Sequence, residues 1–142
     1  METITKTNKI LSTAKTHTTG GREHGVAKSS DGNLDIKLSS PGTNGLGTNP
    51  EQLFAAGWSA CFEGAMGIAA SKRRITLPED TAIHAEVDLC IDKAEFFLQA
   101  RLNIFIPGLD REIAWEVIDA AEKICPYAKA INGNVDVEYN LM

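Results

Sequence analysis

From residue 50 to residue 70 almost every position is apolar or small: Leu53, Phe54, Ala55, Ala56, Gly57, Trp58, Ala60, Cys61, Phe62, Met66, Ile68, Ala69 and Ala70. Asn49 can serve as N-cap, and Pro50 suits the first helical position, where a missing N–H costs nothing. The pattern predicts a helix that is apolar on nearly every face, and such a helix is central rather than surface-lying. Ser39 to Thr48 holds three glycines and one proline and reads as the loop that delivers the chain to it.

On either side the period falls to two. Residues 9–38 read as short strands, beginning with Ile10 and Leu11 in a stretch rich in Thr and Lys. Thr19-Gly20-Gly21 makes a turn with Arg22 just beyond it, and Ser30-Asp31-Gly32-Asn33 is a hairpin signal before alternating Leu34, Ile36 and Leu38. After Leu77-Pro78, the residues Ile83, Ala85, Val87, Leu89 and Ile91 alternate with His84, Glu86, Asp88, Cys90 and Asp92, predicting a strand with one wet face. A second long strand is predicted over Phe96 to Ile106. Asp110 then caps an amphipathic helix with Ile113, Val117, Ile118, Ala121 and Ile124 on its buried stripe. Pro126 disfavours helical geometry at Cys125 and stops that helix. A last strand carries Val135, Val137 and Tyr139 after the turn Asn132-Gly133-Asn134.

Strands that cluster instead of alternating one-for-one with helices predict an α+β fold. A helix apolar all round needs cover on every side, and one small sheet does not supply it. The expectation is a homodimer in which two central helices pack together beneath both chains' sheets.

Composition narrows the function. The 142 residues suit a single domain over 1–142, able to bury about two-thirds of its unfolded surface. A net charge of −5 and a pI near 5.2, with only Lys72, Arg73 and Arg74 clustered, argue against nucleic acid. The polar N-terminus and the shortness of the longest apolar run argue against a membrane or export signal, so a cytoplasmic location is expected. Cys61, Cys90 and Cys125 cannot all pair with one another and show no C-x-x-C spacing. His17, His24 and His84 share no ligand spacing, so no metal is assigned.

Cys61 taken alone reads as one more small core hydrophobe. Cys125 lies at a helix boundary where Pro126 could begin a further turn, and N–H groups there would bias the thiol towards thiolate. Cys90 sits mid-strand with no special neighbour and reads as structural or merely exposed. Thr19-Gly20-Gly21-Arg22, Ser29-Ser30-Asp31-Gly32, Gly47 through Gly57, Ser59-Ala60-Cys61-Phe62 and Cys125-Pro126-Tyr127 occur in this order. The set resembles the organic hydroperoxide resistance proteins, a branch of the OsmC-like family, along nearly the whole chain. Trp58 stands where a Tyr is commoner, and Ala128 where a Ser is often found.

The resemblance implies an OsmC-like fold: an N-terminal three-stranded sheet, a long central helix, and a second antiparallel sheet with a further helix. It also implies an intertwined homodimer with two interfacial sites. By motif, Cys61 would be the peroxidatic thiol and Cys125 the resolving one, with Arg22 and Glu51 completing the site. Substrates would be alkyl, aryl and fatty-acid hydroperoxides, reduced to alcohols. A lipoylated protein or other small dithiol would regenerate the enzyme, with no bound cofactor. An apolar-ligand-binding module and a general OsmC-type peroxidase are the alternatives.

The residue types suit that chemistry. Desolvation raises a thiol's pKa, so a permanently charged group such as Arg22 is needed to favour thiolate, and Glu51 could hold the guanidinium by a two-pronged contact. Ten residues of continuous helix, however, place Glu51 about 15 Å and about 80° from Cys61. Either the helix breaks near Gly57, or Glu51 comes from the other chain. Phe54, Trp58, Phe62, Met66, Phe96, Phe97 and Ile131 are candidate lining for an organic tail, each buried methylene adding ~0.8 kcal/mol.

Overall fold

The structure is a computed structural model that describes residues 8–142. The chain divides into two compact units, one ending at Asn49 and the other spanning Pro50–Met142.

The first unit is an antiparallel sheet of β1 (Thr16–Thr19), β2 (Val26–Ser29) and β3 (Asp35–Lys37), in that order. The β2–β3 turn falls on the expected Ser30 to Asn33. There the Ser29 hydroxyl donates to Asp31 Oδ1 at 2.6 Å and the Asn33 N–H to the same oxygen at 2.9 Å. The Ser29 bond, then the Asn33 N–H, hold the Asp31 carboxyl below its usual range. Ile10 and Leu11 are exposed and precede β1 instead of forming part of a strand, a correction to the sequence reading. No strand pairs with them among the described residues. Gly20 and Gly21 both have left-handed backbone (φ 81° and 73°), which a side chain would oppose. They turn the chain into a single helical turn, α1 (Gly21–His24), that carries Arg22. The 39–48 loop closes on itself, with Ser39 N–H donating to Thr48 O and Thr48 N–H to Lys37 O, each at 2.9 Å.

The second unit is built on α2 (Pro50–Lys72), 23 residues without a break. By length and composition alone it would suit a membrane span. Its large side chains instead enter a core: Trp58, Phe62, Ala65, Met66, Ala69 and Ala70 are buried on one face. That face meets β4 (Ala82–Asp92) and α3 (Arg111–Ile124). Strand β4 pairs antiparallel with β5 (Glu95–Phe105) over all 11 of its residues, from Ala82↔Phe105 to Asp92↔Glu95. The two-residue turn, Lys93-Ala94, has φ of 49° and 65°, the mirror-image geometry that matches strand twist. Ala100, Leu102 and Ile104 on the apolar face of β5 are buried against the helices.

Asp110 caps α3 as expected, accepting from the N–H of Glu112 (3.0 Å) and Ile113 (3.4 Å). Cys125 leaves helical geometry at ψ 119°, and α4 (Pro126–Ile131) follows at once. Strand β6 (Asp136–Leu141) then joins β5 in parallel, so the second sheet is mixed and not wholly antiparallel. The physical reason is the connection: α3 and α4 form a crossover long enough to carry the chain back along the sheet before it pairs.

Candidate active site

Cys61 lies midway along α2, immediately before buried Phe62. Cys125 lies at the α3–α4 junction, where its N–H donates to Ala121 O at 2.8 Å and its carbonyl accepts from Lys129 N–H at 3.0 Å. The two sulfurs, 64 positions apart in sequence, stand 3.3 Å from each other with the Cys125 thiol as donor. Both are free thiols; Cys61 is half-buried and Cys125 fully buried.

Burial pushes the Cys125 thiol up, and the neighbouring Cys61 adds to the rise; the N–H groups of Ala128 and Tyr127 work in the other direction. The sequence reading, in which the turn biases this thiol towards thiolate, is therefore corrected. The N–H groups are in place, but desolvation outweighs them. The Cys125 thiol therefore keeps its proton at neutral pH, and of the two sulfurs Cys61 is the one with access to solvent.

Residues 41–140 match the family of OsmC-like proteins. The chain belongs to that family. It is 44% identical to the organic hydroperoxide resistance protein of Xanthomonas axonopodis pv. citri, over 94% of this chain and 96% of the relative. The crystal structure of the organic hydroperoxide resistance protein OhrB of Bacillus subtilis superposes with a TM-score of 0.88 at 42% identity, covering 94% of this chain and all of the other. An organic hydroperoxide resistance protein from Legionella pneumophila gives 0.86 at 40% identity, covering 94% and 98%. Within the OsmC-like family the chain thus falls in the organic hydroperoxide resistance branch.

Around the sulfurs of this OsmC-like chain the aromatic residues divide into two groups. Phe54 is half-buried, with its ring 5.9 Å from that of Trp58 and edge-on to Tyr127 at 6.2 Å. Trp58 is wholly enclosed, and its indole N–H has no acceptor among the described residues. Phe62, Met66 and Ile131 are buried in the core, and the Phe62 ring lies 5.5 Å from that of Tyr139. Burial, then Glu122 and Cys125, push the Tyr139 phenol up to about 12. Phe96 and Phe97, by contrast, flank the β4–β5 turn on opposite faces of β5 and are 72% and 46% exposed.

Arg22 lies on α1 in the first unit and Glu51 in the first turn of α2 in the second. Because α2 is continuous, the first of the two alternatives, a break near Gly57, does not occur. One mid-helix glycine costs about 1 kcal/mol in propensity, too little to undo a helix held by its core contacts. Gly57 serves another purpose. A Cβ built there would stand 2.9 Å from the Tyr127 hydroxyl oxygen and 3.3 Å from Cζ, so its bareness admits the phenol ring. Sequence reasoning missed this contact and Tyr127's part in it. The signal was present: a glycine inside a strong helical pattern costs propensity and so points to a packing reason for the missing side chain. Cys90 is half-buried on β4, with its sulfur 4.0 Å from Asp88 O. No cluster of three or more His, Cys, Asp or Glu suited to a metal occurs among the described residues.

Proposed function

We propose that this chain is a cysteine-based peroxidase that reduces organic hydroperoxides to alcohols. Family membership places it in organic hydroperoxide resistance, a response to oxidative stress. The observation that carries the mechanism is the 3.3 Å approach of Cys61 and Cys125 from two distant segments. Cys61, the more accessible sulfur, attacks the peroxide. An S–O bond forms, the O–O bond breaks, the alkoxide leaves as alcohol, and Cys61 becomes a sulfenic acid. Cys125 then bonds to the Cys61 sulfur; the S–O bond breaks and water departs with the thiol proton. A dithiol of lipoyl type reduces the disulfide by exchange. Arg22 favours the thiolate and stabilises the departing oxygen, with Glu51 fixing its guanidinium.

The reading supported best for assembly is a homodimer. On the uncovered side of α2, Ala56, Ala60, Gly64 and Gly67 are exposed, and Ile68 is 50% exposed. A Cβ at Gly64 or Gly67 would meet nothing within 4 Å, so packing within this chain does not explain these glycines. A reducing cytoplasm, where cysteine pairs are transient or catalytic and not structural, fits this chemistry.

Thiol titration before and after one equivalent of cumene hydroperoxide tests the mechanism. The expected result is loss of two thiols, with Cys61 and Cys125 linked on peptide mapping. Cys61→Ser abolishes turnover, whereas Cys125→Ser accepts one oxidation and stalls. Unchanged thiols, together with binding of the organic compound, would turn the reading towards an apolar-ligand-binding module. Equal or faster turnover of hydrogen peroxide would favour a general OsmC-type peroxidase.

A further inference from the structure

We propose that Tyr127 is a positioning residue that sets the alignment of the two thiols, using Gly57 as its seat. The inference rests on the dithiol reading above and extends it to a residue outside the reacting pair. Cys61 is fixed on a long helix, while Cys125 occupies the non-helical joint between α3 and α4, tied by backbone bonds to Ala121 and Lys129. A disulfide demands narrow geometry, with Cα atoms about 4.4–6.8 Å apart and Cβ vectors converging. The backbone bonds fix Cys125 to its own two helices, and a side chain that reaches α2 beside Cys61 sets the height of the joint against that helix.

Tyr127 is placed to do so from both ends. Its backbone N–H faces the Cys125 sulfur. Its phenol lies over Gly57, the hydroxyl oxygen 2.9 Å, Cζ 3.3 Å and Cε1 3.6 Å from where a Cβ would be, with Phe54 edge-on at 6.2 Å. Gly57 is four residues before Cys61, so the seat and the reacting sulfur share one helix face a single turn apart. The ring thus gauges α2 beside one sulfur, and the backbone of the same residue meets the other.

The test separates the two chemical steps. Tyr127→Ala leaves sulfenic acid formation at Cys61 within about twofold. It slows closure of the Cys61–Cys125 disulfide by about tenfold to a hundredfold, the scale of losses that follow a misplacement of about 1 Å. The trapped sulfenic acid then oxidises further, so sulfinic Cys61 appears by mass spectrometry at peroxide doses the parent protein survives. Tyr127→Phe keeps the ring and resolves at close to the parent rate. Gly57→Ala raises helix propensity, so it folds, yet its methyl displaces the phenol and slows closure in the same way. In the Tyr127→Ala background the Gly57→Ala methyl has room and adds no further slowing, a coupling read directly by the double-mutant cycle.

Parent-like closure in Tyr127→Ala, or equal slowing by Gly57→Ala in both backgrounds, would overturn the proposal. Diamide closes neighbouring thiols without a peroxide. Measured with diamide, the same rates report on alignment even if the parent protein proves inert to hydroperoxides, which would sink the peroxidase reading alone.

Discussion

The indole of Trp58 carries an N–H that is enclosed without an acceptor among the described residues, and a buried donor left unmade costs ~1–3 kcal/mol. Four residues on, Phe62 is equally buried but wholly apolar. The two positions should therefore respond differently to loss of volume. Trp58→Phe gives up bulk but also removes the orphaned donor, and its unfolding free energy should stay within about 1 kcal/mol of the parent. Phe62→Ala loses both its core contacts and its packing against Tyr139, and should cost ~3–5 kcal/mol. Urea denaturation of the reduced proteins measures both. A Trp58→Phe penalty as large as that of Phe62→Ala would mean the N–H has a partner after all. At this scale the local pattern read Cys61 as a small core hydrophobe, and only the ordered motifs of the family resemblance singled it out together with Cys125. Nothing local marks the indole's lack of a partner, which depends on what surrounds it once folded.

The β4–β5 hairpin is stabilised on its wet face by Arg101, which donates from Nε to Glu86 (2.8 Å) and from both Nη atoms to Asp88 (2.8 and 3.1 Å). The Arg101 bonds, then Gln99, hold the Asp88 carboxyl down at about 2. Its folded value lies below its unfolded value of 3.8, so the associated stability is present above about pH 4 and is lost as pH falls towards 2. Asp88→Asn should lower stability at pH 7 by the modest amount typical of an exposed ion pair and flatten the acid limb between about pH 5 and pH 2, so that thermal melts of the two proteins converge near pH 2. An acid limb as steep as the parent's would assign that sensitivity to other carboxylates. Most elements were legible from period and punctuation: the alternation over β4 and β5, the Asp110 cap, and the stop at Cys125-Pro126. Lys93-Ala94 gave no turn signal because neither residue is one that favours positive φ, yet the pairing of two long strands imposes it. Gly57 was read as the place of a possible break, and the close approach it serves depends on Tyr127, seventy positions away in sequence. The direction of β6 was not readable either, since a strand's own pattern is the same in parallel and antiparallel pairing.

An unbroken α2 sharpens the question of how many chains make one site. Glu51 and Cys61 are ten residues apart on it, about 15 Å along the axis, so Glu51 does not reach its own chain's Cys61 through a bend in the helix. If the chain forms the homodimer proposed above and Glu51 acts from the second copy, two chains each defective in one of these residues should rescue one another. A heterodimer of Cys61→Ser with Glu51→Ala holds one site with an intact Cys61 and an intact Glu51, each from a different chain; the other site lacks both. It should recover about half of the parent activity per dimer, as two equivalent interfacial sites require, although each parental homodimer is inactive. If Glu51 acts within its own chain, every site in the heterodimer lacks one of the two residues, and activity stays at the background of the parents. Co-expression with two different affinity tags isolates the heterodimer, and steady-state turnover of cumene hydroperoxide distinguishes the cases. Gly64→Glu supplies the control for assembly. A carboxylate on the uncovered stripe of α2 meets nothing in its own chain, so each chain still folds, but it would be buried unpaired where two helices meet. Light scattering should then report monomers, and rescue should vanish together with the dimer.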